Sequence, residues 1–461
     1  MSATQAEQHG TGAGAPGRRR WSRLGAVWLT AVATLALAAC GGGGTTPTAT
    51  SSSSAPSAAS PPSAASGPVT LTFVNAQDPG TFDKVIAGFT KANPNVTIKQ
   101  QVVPFDDLNT TVQSRLQSKD PGIDLYDVDE PRLAAFAVRG YLLDLSDLGA
   151  QAQGKVDPKA LEATKYDGKQ YAMPRWTSTQ LLYFNKAVLK KAGVAAPSSD
   201  PKSPMTWEAV AAAGKKAQAG GAKWGLTFDQ VNRYYQLQPL PESLGAGPGL
   251  TGPGLLTPDV TNPGWTKAFD WYASTFESGL SPRGITAEQT PPLFAQGSTA
   301  FFAGGPWNSA TFDKAKVDYG VAPFPMFEGG KPASSTGSWA TGVSPFSKNQ
   351  AAAKSFIAYM TTDPTGAWEA NSNNIPVQTD AFGKYLSTTK AKGGTNAQLA
   401  AIVQNELTSN AVSRPTTAGY VDFETDVNKA LADISNGAAP ATRLQELTSV
   451  LERDLAKYRG K

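Results

Sequence analysis

From Val69 the chain alternates apolar and polar positions as Val69-Thr70-Leu71-Thr72-Phe73-Val74, the period-two pattern of a strand with one buried face. The period then lengthens. Phe82, Val85, Ile86 and Phe89 share one face of a helix expected from Thr81 to Ala92, and Pro94 stops it. Val96-Thr97-Ile98 and Val102-Val103 read as strand, Leu108 to Ser118 as helix and Asp124 to Val128 as a short strand. Strand and helix in alternation predict an α/β lobe built on a largely parallel sheet.

Farther along, Thr206 is placed to cap a helix, and residues 265–278 read as another, with Trp265, Phe269, Trp271, Tyr272 and Phe276 as its aromatic face. Ser347-Lys348-Asn349-Gln350 has the spacing of a capping box at the head of a helix over 351–360. A last helix over 441–458 carries Leu444, Leu447, Val450, Leu451 and Leu455 on one stripe. The Gly- and Pro-rich stretch 241–264 is expected to be a surface loop.

The N-terminus has none of these periods. Residues 1–17 are polar, and Arg18, Arg19, Arg20 and Arg23 precede an apolar run from Leu24 to Ala39 that ends at Cys40. A basic flank, a short apolar core and small residues before a processing point describe a secretory signal. The run is about 16 residues, short of the roughly 20 that a spanning helix needs. Leu37-Ala38-Ala39-Cys40 resembles the bacterial lipobox, which implies a signal peptide over 1–40, lipidation of Cys40 and attachment to the outer face of the cell membrane. Residues 41–68 are almost entirely Gly, Ser, Thr, Ala and Pro, a composition that cannot bury a core and is expected to act as a disordered tether.

Composition then removes whole classes of function. The 461 residues hold one histidine, His9, and one cysteine, Cys40. Processing would discard the first and acylate the second. Histidine triads, cysteine nucleophiles and imidazole- or thiolate-bound metals are therefore excluded, and neither a metal nor a cofactor is expected. The formal charge is +4, but four arginines belong to the leader. The remainder is close to neutral and has no basic cluster of the kind nucleic acid needs, so no nucleic-acid partner is expected.

Three tryptophans sit in unusual company: Trp176 after Pro174-Arg175, Trp307 at the end of Gly304-Gly305-Pro306, and Trp339 after Gly337-Ser338. Core tryptophans normally lie in apolar periodic runs, as Trp271 does. Glycine- and proline-bounded positions are loops, where a rigid scaffold presents binding residues. Indole faces suit the C–H faces of a pyranose, and its hydroxyl rim calls for polar partners. Candidates are Asn75 and Gln77, Asp129 and Glu130, Tyr235 and Gln236, and Arg414.

The order of segments is similar to that of the family 1 extracellular solute-binding proteins, the maltose- and trehalose-binding group. The resemblance runs through Asp124-Leu125-Tyr126-Asp127-Val128-Asp129, Tyr166-Asp167-Gly168-Lys169-Gln170-Tyr171-Ala172-Met173-Pro174, Phe294-Ala295-Gln296-Gly297, Gly305-Pro306-Trp307, Tyr319-Gly320-Val321-Ala322-Pro323-Phe324-Pro325, Gly337-Ser338-Trp339 and Asn374-Ile375-Pro376. It implies the type II periplasmic-binding-protein fold, two α/β lobes with ligand in the cleft between them. The first lobe would comprise 69–178 and 326–374 and the second 179–325 and 375–461, with crossovers near 178–181, 322–326 and 371–377. Within it Asp129 would accept a hydroxyl, Trp307 and Trp339 would stack on sugar rings, Trp176 would take an aromatic site, and Arg414 a sugar-contacting one. Ser178 and Ser338 fall beside these positions, and Ser178 stands where some disaccharide binders carry an acid. The stretch 233–240 likewise lacks an acidic residue common there.

The function implied is capture of a di- or oligosaccharide by a monomeric lipoprotein and its delivery to the permease and ATPase of an ABC importer. Two alternatives are a surface glycoside-active enzyme and a non-transport carbohydrate receptor. The enzyme would need two carboxylates flanking the scissile bond, whereas Asp129 and Glu130 are adjacent and would point to opposite faces of a strand.

Overall fold

In the computed structural model the alternation beginning at Val69 becomes the strand Val69–Asn75, and the long-period stretch after it becomes the helix Asp83–Ala92, which buries Val85 and Phe89. Residues 67–459 are described, apart from 338 and 371–373, and they belong to one compact unit spanning 61–461 that carries all the apolar clusters given below. The leader, Cys40 and nearly all of the tether lie outside the described residues.

The first lobe is a six-stranded sheet in the order Ile375–Pro376, Ala172–Thr177, Trp339–Val343, Leu125–Asp129, Val69–Asn75, Val96–Val102. Phe73, Phe82, Phe89, Phe356 and Met360 fill one face, while Val74, Val112, Leu116, Tyr126 and Phe136 fill the other. The second lobe is a four-stranded sheet in the order Tyr319–Pro323, Leu181–Asn185, Thr299–Gly304, Trp224–Phe228. Trp207, Trp265, Phe269, Tyr272 and the leucine stripe of the helix Pro440–Leu455 cover one face, and Tyr183, Phe294, Phe312 and Ile402 the other. Each fully buried large apolar side chain contributes on the order of 1.5–3 kcal/mol.

The α/β two-lobe architecture is as expected, but the sheets are mixed rather than largely parallel. Val69–Asn75 pairs in parallel with both Val96–Val102 and Leu125–Asp129, the product of local strand–helix–strand units. The strands that enter from the other lobe run the opposite way. Trp339–Val343 is antiparallel to both neighbours, and so is Leu181–Asn185.

The chain crosses first through 178–180, between Thr177 and Leu181. The second crossing comes later than residue 326. Met326 still exchanges backbone hydrogen bonds with Met205 and Trp207, and Phe327 is buried in the second-lobe core. The switch occurs after Ser334–Thr336, which pairs in parallel with Ala411–Ser413. At the third crossing Ile375 packs in a second-lobe cluster and Val377 in a first-lobe one.

Two local expectations give way to tertiary demands. The stretch 241–264 buries Leu250, Leu256 and Val260 around a two-stranded ladder, so it is packed structure and not a loose surface loop. The capping box does not form either. Ser347 Oγ donates to the buried Asp124 carboxylate at 2.5 Å and accepts the Asn349 N–H at 3.0 Å, and the helix Gln350–Thr362 starts without a side-chain cap.

Candidate functional site

Strand register builds one wall of the interlobe cleft. Trp339 lies opposite Asp129 on one side and opposite Trp176 on the other, which sets these three side chains in a row across adjacent strand ends. Phe105, from the turn before the helix Leu108–Gln117, packs edge-on to Trp339 with centroids 5.7 Å apart. Trp176 is only 3% exposed. The Arg175 guanidinium lies 4.1 Å from its ring centroid, and Phe82 stacks on it at 6.1 Å. Arg175 is itself held by Asp127 at 2.6 Å, with both side chains fully buried.

The opposite wall comes from the second lobe. Trp307 follows the strand Thr299–Gly304 through a tight turn that requires glycine, since a Cβ on Gly305 would lie 1.8 Å from the indole ring. Its Nε1 donates to Asp229 Oδ2 at 2.9 Å, and Tyr235 packs beside it with centroids 6.3 Å apart. The Tyr235 hydroxyl donates to Ser178 Oγ at 2.8 Å, and burial pushes its pKa up to about 12. Tyr235 therefore stays a neutral donor and acceptor at any physiological pH.

An ion network closes one end of the cleft. Arg414 grips Asp129 bidentately at 2.7 and 2.5 Å, Arg132 reaches Asp129 at 3.0 Å, and Arg132 also pairs with Glu424 from the helix Tyr420–Ser435. Asp129 and Arg132 belong to the first lobe, Arg414 and Glu424 to the second, so the network joins the lobes. Burial works against the charge on Arg414 and on Arg132, but the neighbouring carboxylates outweigh it and raise both pKa values. On the rim Arg233 sits 4.6 Å from the Phe105 ring centroid and 3.3 Å from Glu288.

The cavity so enclosed is about 400 Å³. Of the residues singled out in the sequence, Gln77, Asp129, Trp176 and Ser178 line it from the first lobe and its crossover, and Tyr235, Trp307 and Arg414 from the second. Trp339 lines it as well. Ser338 lies outside the described residues.

Three candidates do not reach the cavity. Asn75 is fully buried, and its Oδ1 accepts the Gln77 backbone N–H at 3.1 Å, which shapes the turn after the first strand. Glu130, which opens the short helical turn after the strand ends at Asp129, faces a different cavity behind the crossovers, where Thr177, Thr336 and Pro376 also lie. Gln236 is fully buried on the inward side of the single turn Tyr234–Leu237. Arg132, Arg233, Asn308, Asn374 and Glu424 line the cleft and were not singled out. The spacing of Arg132 three residues after Asp129, at a helical turn, is the one local signal that points to any of them.

Among the described residues no cluster of His, Cys, Asp or Glu is arranged to hold a metal, and no helix is long and apolar enough to cross a membrane. The arrangement can clamp a small molecule between indole faces and a polar floor.

Comparison with known proteins gives a consistent picture. The family described as bacterial extracellular solute-binding protein matches residues 75–367. A probable ABC transporter-binding protein of Deinococcus radiodurans is 27% identical over 429 residues, covering 85% of this chain and 94% of that one. The maltodextrin-binding protein of Bacillus subtilis is 26% identical over 268 residues, which is 54% of this chain and 59% of its own length. Among solved structures, an ABC substrate-binding protein from Listeria monocytogenes in complex with cycloalternan superposes with a TM-score of 0.75 at 22% identity, covering 84% of this chain and 99% of that one. At that identity the superposition speaks for the fold.

Proposed function

The chain belongs to the bacterial extracellular solute-binding proteins, and from that premise we propose that it captures an uncharged di- or oligosaccharide between its lobes and delivers it to the permease of an ABC importer. The observation that carries this reading is the cleft itself, with Trp307 and Tyr235 on one wall facing Trp339 on the other around a polar floor. Its volume falls within the roughly 300–1,000 Å³ of small-molecule sites. Relatives whose names specify a maltodextrin or a galactooligosaccharide ligand support the ligand class.

Charge narrows it further. Each arginine of the cleft already has a carboxylate of the protein as partner: Arg414 with Asp129, Arg132 with Glu424, and Arg233 with Glu288. An anionic ligand would have to displace one of them, and a neutral polyol would not. Ligand that bridges both walls binds the closed arrangement of the lobes better than the open one, and that difference drives closure. Cys40, acylated after removal of the leader, would tether the domain to the membrane through 41–68.

Melting temperature and tryptophan fluorescence of residues 61–461 against maltose, maltotriose, trehalose and galactooligosaccharides test the reading. A saturating rise in both is expected, since ligand at a hundredfold excess over Kd adds about 2.7 kcal/mol of stability. A response to phosphodiesters or amino acids and none to sugars would overturn the ligand class. Release of shorter sugars would favour an enzyme.

A further inference from the structure

Behind Trp307 lies an acid that neither the ion network nor the cleft lining uses. Asp229 follows the strand Trp224–Phe228 and is 5% exposed. One oxygen, Oδ2, accepts from the Trp307 indole at 2.9 Å and from the Asn308 amide at 2.8 Å, and the Gly305 backbone N–H also donates to this carboxylate. Its own backbone is pinned on both sides, with N–H to Ala303 O at 2.8 Å and O to Thr290 Oγ1 at 2.6 Å. The donors to its carboxylate, Gly305, Trp307 and Asn308, all belong to the turn presenting Trp307, while Ala303 and Thr290 hold its backbone.

We propose that Asp229 is a positioning residue for sugar capture: its carboxylate fixes the plane of the Trp307 indole and enriches the ring face that meets the ligand. The inference rests on the reading of the cleft given above. A pyranose offers polarised C–H groups to an aromatic face, and an anionic acceptor at the indole N–H makes that face more electron-rich. Trp307 has one polar handle, and this bond holds the indole in the orientation that the packing of Gly305 and Tyr235 leaves to it.

A merely structural acceptor would not need to be an acid. None of the hydrogen bonds to Asp229 among the described residues comes from a cation. Burial pushes its pKa up to about 6, although the Asn308, Trp307 and Gly305 donors and the through-space field of Arg233 all act to lower it. Tyr183, two strands away in Leu181–Asn185, also feels it, and its phenol stays neutral because burial raises its pKa well above the ordinary value. Keeping this carboxylate charged at neutral pH therefore costs stability, which a neutral amide would avoid.

The test uses residues 61–461 with 15N-labelled indoles, the Trp307 resonance being assigned by its loss in Trp307→Phe. In the wild type the Trp307 indole proton should shift between pH 5 and 8 with a midpoint near 6, and Asp229→Asn should displace it and abolish the titration. The same variant should melt at the same temperature as the wild type or higher at pH 8. It should also bind the sugar selected by the panel, with maltotriose as first probe, roughly tenfold more weakly. An indole resonance that ignores both pH and Asp229→Asn would overturn the inference, and so would a fall in melting temperature with affinity unchanged. If the resonance responds as expected while no sugar binds, the positioning role stands and the sugar reading fails.

Discussion

Asp127 lies beneath the tryptophan wall of the first lobe and takes the Arg175 guanidinium at 2.6 Å, and that guanidinium in turn covers the face of Trp176. Asp229 lies beneath the wall of the second lobe and takes an indole N–H, a side-chain amide and a backbone N–H, none of them charged. Burial raises the pKa of both acids. The consequences for their tryptophans differ. Trp176 is locked between Arg175 and Phe82 and is almost fully buried, so it serves as part of the wall. Trp307 is held by its edge and keeps more of its ring free for the cleft. An ion pair makes a support; a neutral cradle makes a platform.

The largest effect that would break this comparison is on stability. Asp127→Ala leaves the Arg175 charge buried without its carboxylate, and urea unfolding should show a loss of about 3–5 kcal/mol. A loss below about 1 kcal/mol would mean that the pair is not what holds the first wall. Next in size is an effect on binding alone. Trp307→Ala should weaken sugar binding by about 2–4 kcal/mol in titration calorimetry, while the melting temperature of the ligand-free protein changes little.

The third expectation sharpens the difference through pH. Besides Asp229 the second lobe holds Glu406, 1% exposed, which accepts from Phe324 N at 3.2 Å and Asn410 Nδ2 at 3.0 Å, with no ion-pair partner among the described residues. Burial pushes its pKa up to about 7 from an ordinary value of 4.5. A raised folded-state pKa means that the native state holds the proton more tightly than the unfolded chain. The resulting stability is complete below about pH 4.5 and is lost as pH rises through 7. Glu406→Gln should therefore raise the melting temperature at pH 8 and leave it nearly unchanged near pH 5. The reverse pattern would show that the charge at Glu406 is stabilising. The smallest effect belongs to Trp176→Phe. It should change sugar affinity by less than about 1 kcal/mol, because the ring contacts protein on almost every side.

Much of this was legible in the chain because it is local. The period-two strand at Val69, the helix that follows and the leucine stripe near the C-terminus all lie within single windows, and so do the tryptophans set among Gly and Pro. What depends on distant partners was not. Arg414 meets Asp129 across 285 positions, and Trp307 meets Asp229 across 78. Asp124 draws Ser347 away from its expected cap over 223 positions. Gln236 sits in one turn of helix, too short for a period to reveal its buried side. Glu130 was separable only in part, since the strand that carries Asp129 ends there and Glu130 opens a short helical turn. The strands that reverse direction follow from the crossings between lobes, which no local pattern encodes.

The most direct test is titration calorimetry of residues 61–461 and of Trp307→Ala with the sugar selected by the panel, at low and at high salt. One sugar bound per chain, with affinity insensitive to salt and largely lost in Trp307→Ala, is the expected result. Equal affinity in the two proteins, or tight binding of an anionic solute that salt weakens, would contradict capture of a neutral sugar on the Trp307 platform.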